Sequence, residues 1–181
     1  MTETSTEIAA ATRLPGRVIS GGQTGADQAG LIVARRFGLP TGGWMPRGWK
    51  TATGPDPQLG REFGLREHAG DYAARTAANV RDSDGTIRLA GSFQTLGERC
   101  TAKWIKHYRK PSIDVDIRSP RPVAEVVAWV RENEIRVLNV AGNAQPRSRT
   151  ALAHGITAFA TAYLADLFRQ LGHRDIAEGN E

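Results

Sequence analysis

Two rhythms of apolar positions alternate along the chain. Short apolar runs are each followed by a longer stretch in which apolar residues recur every three or four positions, the signatures of strand and helix respectively. Arg17 to Ser20 opens the series as a strand. Ala26 to Phe37 follows as a helix, with Leu31, Ala34 and Phe37 on one face and Gly38 placed as its C-cap. "LPTGGWMP" reads as a short second strand, ending in a loop rich in Gly, Pro and Thr that runs to about Glu62. A helix from Tyr72 to about Arg81 leads into a third strand, "GTIRLAG", ending at Gly91. Thr95 to Tyr108 is the next helix, closed by Pro111, and "SIDVDI" is the strand after it. Pro122 suits the first residue of a helix running to about Asn133, with Val123, Val126, Val127 and Val130 as its buried stripe. "RVLNVAG" is the last strand, and Ser148 to Leu171 the closing helix.

Strands that alternate with helices of this length must be joined by parallel crossovers. The pattern therefore predicts an α/β protein: a doubly wound, mostly parallel sheet with helices on both faces. A chain of 181 residues suits one domain. We expect it over residues 16–173, with residues 1–15 a disordered lead-in and 174–181 a flexible tail. The single cysteine, Cys100, excludes an internal disulfide framework and suits a reducing compartment. The first residues lack the basic start and apolar core of a signal peptide. No apolar run approaches the roughly 20 residues that span a bilayer. The expectation is a soluble, cytoplasmic protein with no membrane partner.

The net charge of +5 raises nucleic acid as a partner. The arginines, however, are dispersed among the acids, and the one dense basic run, Lys103 to Lys110, reads as a solvated helix face. We expect no nucleic-acid partner; a small anionic ligand fits the charge equally well.

Ligands of open parallel sheets bind outside the carboxyl ends of the strands. Here those ends read "SGGQTGAD", "LAGSFQT" and "NVAGNAQPRS". Each has Gly where the strand stops, then small polar residues, then a helix start. Gly allows close backbone approach, and a helix start presents unpaired N–H groups with a partial positive charge. Together they make an anion cradle. It is not a Walker A loop, because no Gly-Lys-Ser/Thr follows, and Gly22, Gly25 and Gly30 do not have the GxGxxG spacing of a dinucleotide loop. Arg47 and Lys50 stand where a dinucleotide fold would place a ribose-binding acid. They suggest a second anionic group, or bases stacked on Trp44 or Trp49, or else solvated loop charges beside structural tryptophans. In "RTAANVRDSDGT", Arg75, Thr76 and Asn79 can face one way on a helix. Asp82 and Asp84 form either a turn or a functional carboxylate pair. The histidines make no metal-ligand spacing, so no protein-ligated metal is expected.

"ISGGQTGADQAGL", "GGWMPRGW", "YAARTAANVRDSDGT" and "LNVAG", in that order over roughly Arg17 to Gly142, resemble the molybdenum-cofactor carrier family. That family sits in the nucleotide-binding superfamily of the lysine-decarboxylase-like phosphoribohydrolases. The resemblance implies a Rossmann-like subunit, assembled into homo-oligomers (dimers or tetramers), that binds an anionic pterin or nucleotide-like ligand. Its cargo would be molybdenum cofactor (molybdopterin) or another phosphate-bearing nucleotide-like molecule, bound and protected without being transformed.

Carried over by position, the site would comprise Gly21, Gly22, Gln23, Thr24, Gly25 and Asp27 from the first loop and Arg47 from the second motif. The third motif supplies Arg75, Thr76, Asn79, Asp84 and Thr86; Gly91, Ser92 and Thr95 stand at the phosphate turn, and Asn139 and Gly142 close the site. Two departures stand out. "KTATGPDPQLG" replaces the family's acidic segment after "PRGW", and Ser92 replaces a glycine. The related phosphoribohydrolases carry G-G-x-G-T-x-x-E. "GSFQTLGE" keeps Gly91, Thr95 and Glu98 of it, so an alternative is hydrolysis of nucleoside monophosphates with Glu98 as the catalytic residue. A non-catalytic sensor of a nucleotide derivative would use the same cradle.

Overall fold

The computed structural model describes residues 14–145 and 155–176. Five strands form the main sheet: β1 (Arg17–Ser20), β2 (Thr41–Gly42), β7 (Gly85–Ala90), β8 (Ser112–Asp116) and β9 (Val137–Gly142), in the order β2-β1-β9-β7-β8. All four pairings are parallel. The long helices are α1 (Ala26–Arg36), α3 (Tyr72–Arg81), α4 (Leu96–Tyr108), α5 (Val123–Glu132) and α6 (Gly155–Gln170). Helix α6 packs against α1 and α5, while α3 packs against α4, so the sheet is doubly wound as the alternation of periods predicts.

The two faces of the sheet differ in chemistry. Val18, Ile87, Leu89, Ile113, Val115, Leu138 and Val140 join α1, α5 and α6 in one continuous apolar core. Strand side chains alternate, so the intervening positions turn to the other face. There Thr86, Arg88, Asp114 and Asn139 sit beneath α3 and α4. Their polar groups are paired, as burial requires. Asn139 Nδ2 donates to Thr86 Oγ1 at 3.2 Å, and Arg88 grips Asp114 through two bonds of 2.7 and 2.5 Å.

The expected second strand divides. Thr41–Gly42 stays in the main sheet, but Gly43 at φ +122° turns the chain, and β3 (Trp44–Met45) pairs instead with β6 (Arg66–Glu67). An added Cβ at Gly43 would run into Ser20 backbone, so the turn needs glycine. The predicted loop to Glu62 contains a small hairpin, β4 (Lys50–Thr51) with β5 (Gly54–Pro55), and then α2 (Pro57–Phe63). Asp56 caps α2 by accepting from the Leu59 amide at 2.9 Å, Pro57 begins it, and Gly64 ends it in the left-handed region. Phe63 and Leu65 pack with Leu31 and Met45 in a second small cluster. Pro122 stands at the N-cap of α5, not as its first helical residue. Of the expected closing helix, Ser148 to His154 lie outside the described residues, as do 1–13 and 177–181 of the expected lead-in and tail.

Candidate functional site

Strand β9 comes last in sequence yet lies in the middle of the sheet. Numbered from β9 as the first strand, the order β2-β1-β9-β7-β8 becomes 3-2-1-4-5, and the winding reverses at β9. Crevices for ligands form at that switch point, outside the carboxyl ends of the strands. A cavity of about 800 Å³ opens there, within the range of small-molecule sites.

Three loops build its polar wall, and Asn143 joins them. Its carboxamide oxygen accepts from the amides of Gly91 (3.0 Å) and Ser92 (3.1 Å), while Nδ2 donates to Ser92 O at 3.1 Å and Glu98 Oε1 at 3.5 Å. Its backbone accepts from Ala26 N and donates to Leu89 O. Gly25 (φ +93°) stands against this loop: an added Cβ would meet Asn143 O and Gln145 N. The Asn143 side chain is the main site feature missed in the sequence; its only signal is a carboxamide immediately after the strand-ending Gly142.

These bonds decide which donors remain open. Ala26 and Gln28, at the start of α1, already bond to Asn143 O and Gln23 O. Gly91 and Ser92 are taken by Asn143. In α4 the Thr95 side chain accepts from Glu98 N at 3.3 Å. The first-turn amides of Leu96 and Gly97 carry no such bond, and both residues line the cavity.

Charge in the wall is mixed. Asp27 is almost wholly buried, accepting from Gln23 N at 3.2 Å and Arg75 Nη1 at 3.4 Å. Burial pushes its carboxyl above the ordinary range, and Arg75 partly opposes this. The guanidinium crosses Gly21, where any Cβ would collide with it; Arg75 Nε is buried without a partner. Glu98 is 2% exposed, and burial pushes it up to about 7 against the pull of Arg88. Its Oε2 lies 3.7 Å from Arg88 Nη1, an ion-pair distance too long for a hydrogen bond. At the β8 side of the opening stands Arg118, exposed and paired with Asp116 at 2.8 Å.

Of the residues expected from the sequence, Gln23, Asp27, Arg75, Thr76, Gly91, Ser92, Thr95, Gly142 and Glu98 line the cavity. Gly21, Gly22, Thr24 and Gly25 form the loop behind it: Gln28 Nε2 donates to Gly22 O, and Gln145 N to Thr24 O. Gln23 Oε1 also accepts from Ala52 N at 2.7 Å, which ties the β4–β5 hairpin to this loop.

The others stand elsewhere. Arg47 is exposed and its amide bonds Gly70 O. Asn79 is buried and clamps the Trp44 backbone, accepting from its N–H at 2.8 Å and donating to its carbonyl at 3.0 Å. Asp84 lies at the opposite, amino-terminal ends of the strands, accepting from Arg136 N and Val137 N. Thr86 and Asn139 bond each other on the sheet face. Asp82 caps α3 and accepts from Trp44 Nε1, so it serves the turn. Trp44 lies under Arg66, 4.0 Å from its ring, and Trp49 packs over Gly60; neither lines the cavity. Among the described residues no group of three or more His, Cys, Asp or Glu could hold a metal ion.

A parallel sheet with its switch point at β9 and helices on both faces defines a Rossmann-like α/β fold, with an open cavity of mixed charge over the switch point. The chain belongs to the circularly permutated YpsA SLOG family, whose model matches residues 18–168. The permutation agrees with the strand order, in which the last strand occupies the place of the first. The chain is also similar to a protein of Syntrophus aciditrophicus SB described as a "putative molybdenum carrier protein". The two are 31% identical with a TM-score of 0.72, over 84% of this chain and 94% of that one. No curated protein matches. No described helix is long and apolar enough to cross a membrane.

Proposed function

We propose that this protein binds an anionic, phosphate-bearing pterin or nucleotide-like molecule in the cavity over β9, with molybdenum cofactor as the cargo. The observation that carries the reading is the cavity itself: it opens at the switch point and combines the open α4 amides with the guanidinium groups of Arg75 and Arg118. Helix-start amides and arginines together favour a phosphate. The likeness to a molybdenum carrier at 31% identity supports this cargo. The family resemblance further supports a cytoplasmic homo-oligomer, dimer or tetramer, which light scattering on the purified protein tests. The direct functional test is reconstitution: molybdenum cofactor mixed with the protein should survive longer in air than cofactor alone. Equal decay would remove the carrier role.

Glu98 favours one second reading. A buried carboxylic acid poised near neutrality in a cavity wall suits proton transfer to a leaving group, so cleavage of an N-glycosidic bond in a nucleoside monophosphate is the alternative. Incubation with nucleoside monophosphates tests it. Base released by the wild type and not by Glu98→Gln would replace the carrier with a hydrolase; no release from either leaves the binding protein.

A further inference from the structure

The cavity continues away from the strand tips into a slot between the first turns of α3 and α4. Tyr72, Ala73 and Thr76 line it from α3, and Leu96, Gly97 and Cys100 from α4. Its polar main-chain groups are the Leu96 and Gly97 amides described above. Its threonine is spent on its own helix, since Thr76 Oγ1 donates to Tyr72 O at 2.8 Å. Thr101, one residue beyond Cys100, likewise donates to Gly97 O at 3.1 Å. Apart from those amides, the slot's side chains therefore offer carbon and sulfur surface. It is also open, because a Cβ added at Gly97 would meet no atom within 4 Å.

Large apolar side chains exposed to water are few in the described residues, and two of them, Tyr72 (42% exposed) and Leu96 (79%), stand at this mouth from opposite helices. Exposed apolar surface gathered at a concave site marks a ligand surface. Next to it lie two buried polar atoms without a hydrogen-bond partner, Arg75 Nε and Glu98 Oε2, the latter 3.7 Å from Arg88 Nη1. Such atoms are costly unless something pairs them. A flat aromatic ring suits the slot, and hydrogen-bonding atoms on its edge suit the Arg75 and Glu98 side.

We propose that the α3/α4 slot is the subsite for a planar bicyclic heterocycle, stacked on Tyr72, whose phosphate-bearing chain extends to the α4 amides. This inference rests on the anion-binding reading above and adds the ring's place and the residue that stacks on it.

Three probes separate the two statements: guanosine 5′-monophosphate, ribose 5-phosphate and guanosine, each titrated against the wild type, Tyr72→Ala and Tyr72→Phe. Tyr72 is exposed, so both variants keep the fold. The wild type should bind the nucleotide about tenfold or more tighter than ribose 5-phosphate, as base stacking on an aromatic side chain supplies. Tyr72→Ala should lose that advantage and Tyr72→Phe keep it, with ribose 5-phosphate binding unchanged throughout. Alkylation of Cys100 by iodoacetamide gives an independent readout. The nucleotide should slow it and ribose 5-phosphate should not. Nucleotide and sugar phosphate bound equally, with Cys100 equally reactive, would overturn the ring subsite and leave the anion site standing. Guanosine bound as tightly as its monophosphate, with Cys100 protected, would support the slot and overturn the anion reading.

Discussion

Glu98 sits in an environment that disfavours its own charge. It is 2% exposed, Asp27 and Asp114 add negative charge, and only Arg88 and a 3.5 Å bond from Asn143 oppose them. Its folded pKa of about 7 exceeds the unfolded value of 4.5. The stability it contributes is therefore fully present below pH 4.5 and is lost as pH rises to about 7. Glu98→Gln keeps the shape without the charge. Thermal or urea unfolding should show the variant gaining on the wild type as pH rises through this window, by about 2–3 kcal/mol at its upper end. Parallel stability curves for the two proteins would mean that Glu98 ionises freely in the fold. Gly25 gives a second prediction at this scale. Its φ of +93° and the closeness of Asn143 and Gln145 leave no place for a methyl group. Gly25→Ala should destabilise by more than about 1 kcal/mol in chemical denaturation.

At the level of elements, the chain's periodicity reveals the long helices and the strands between them, because each buries one continuous apolar stripe. It fails where an element is short or its reward is tertiary. The β4–β5 hairpin contributes little apolar surface and is held by Gln23 reaching back across 29 positions. Helix α2 carried legible punctuation, Asp56, Pro57 and Gly64, but its glycine and proline, and Pro55 just before it, resemble loop composition. The site shows the same division. The glycine-ended strand tips locate the cavity: a Cβ at Gly142 would run into the Leu89 carbonyl and one at Gly21 into the Arg75 guanidinium. Asn143 and the α3/α4 slot depend on which helices become neighbours, which no local pattern encodes. Asn79, Asp84, Thr86 and Asn139 lie in the family's motifs, yet the fold uses their side chains to bond its own backbone or each other. Asp71 shows how an element can serve the site without touching it: it caps α3 by accepting from Ala73 N and Ala74 N. Asp71→Ala should cost about 1 kcal/mol in an unfolding titration. It should also weaken nucleotide binding, since it frays the turn that carries Tyr72.

For the whole molecule, the sheet order makes a prediction independent of any ligand. The two ends of the described fold are close: His173 Nε2 lies 3.1 Å from Leu14 O, and Ile176 N donates to Arg36 O. The turn between α5 and β9 passes through exposed Asn133 and Glu134. Joining the ends with a short Gly/Ser linker and opening the chain at Glu134 would place β9 first. Such a permutant should fold, with circular dichroism and cooperative melting like those of the parent. The same scale governs binding, because a phosphate held by helix-start amides and guanidinium groups should bind more weakly as salt rises. The most direct measurement is a crystal structure of the protein with molybdenum cofactor, prepared without air. Our account predicts the phosphate at the Leu96 and Gly97 amides, within the cavity over β9. Cofactor bound elsewhere, with that cavity holding only solvent, would contradict it.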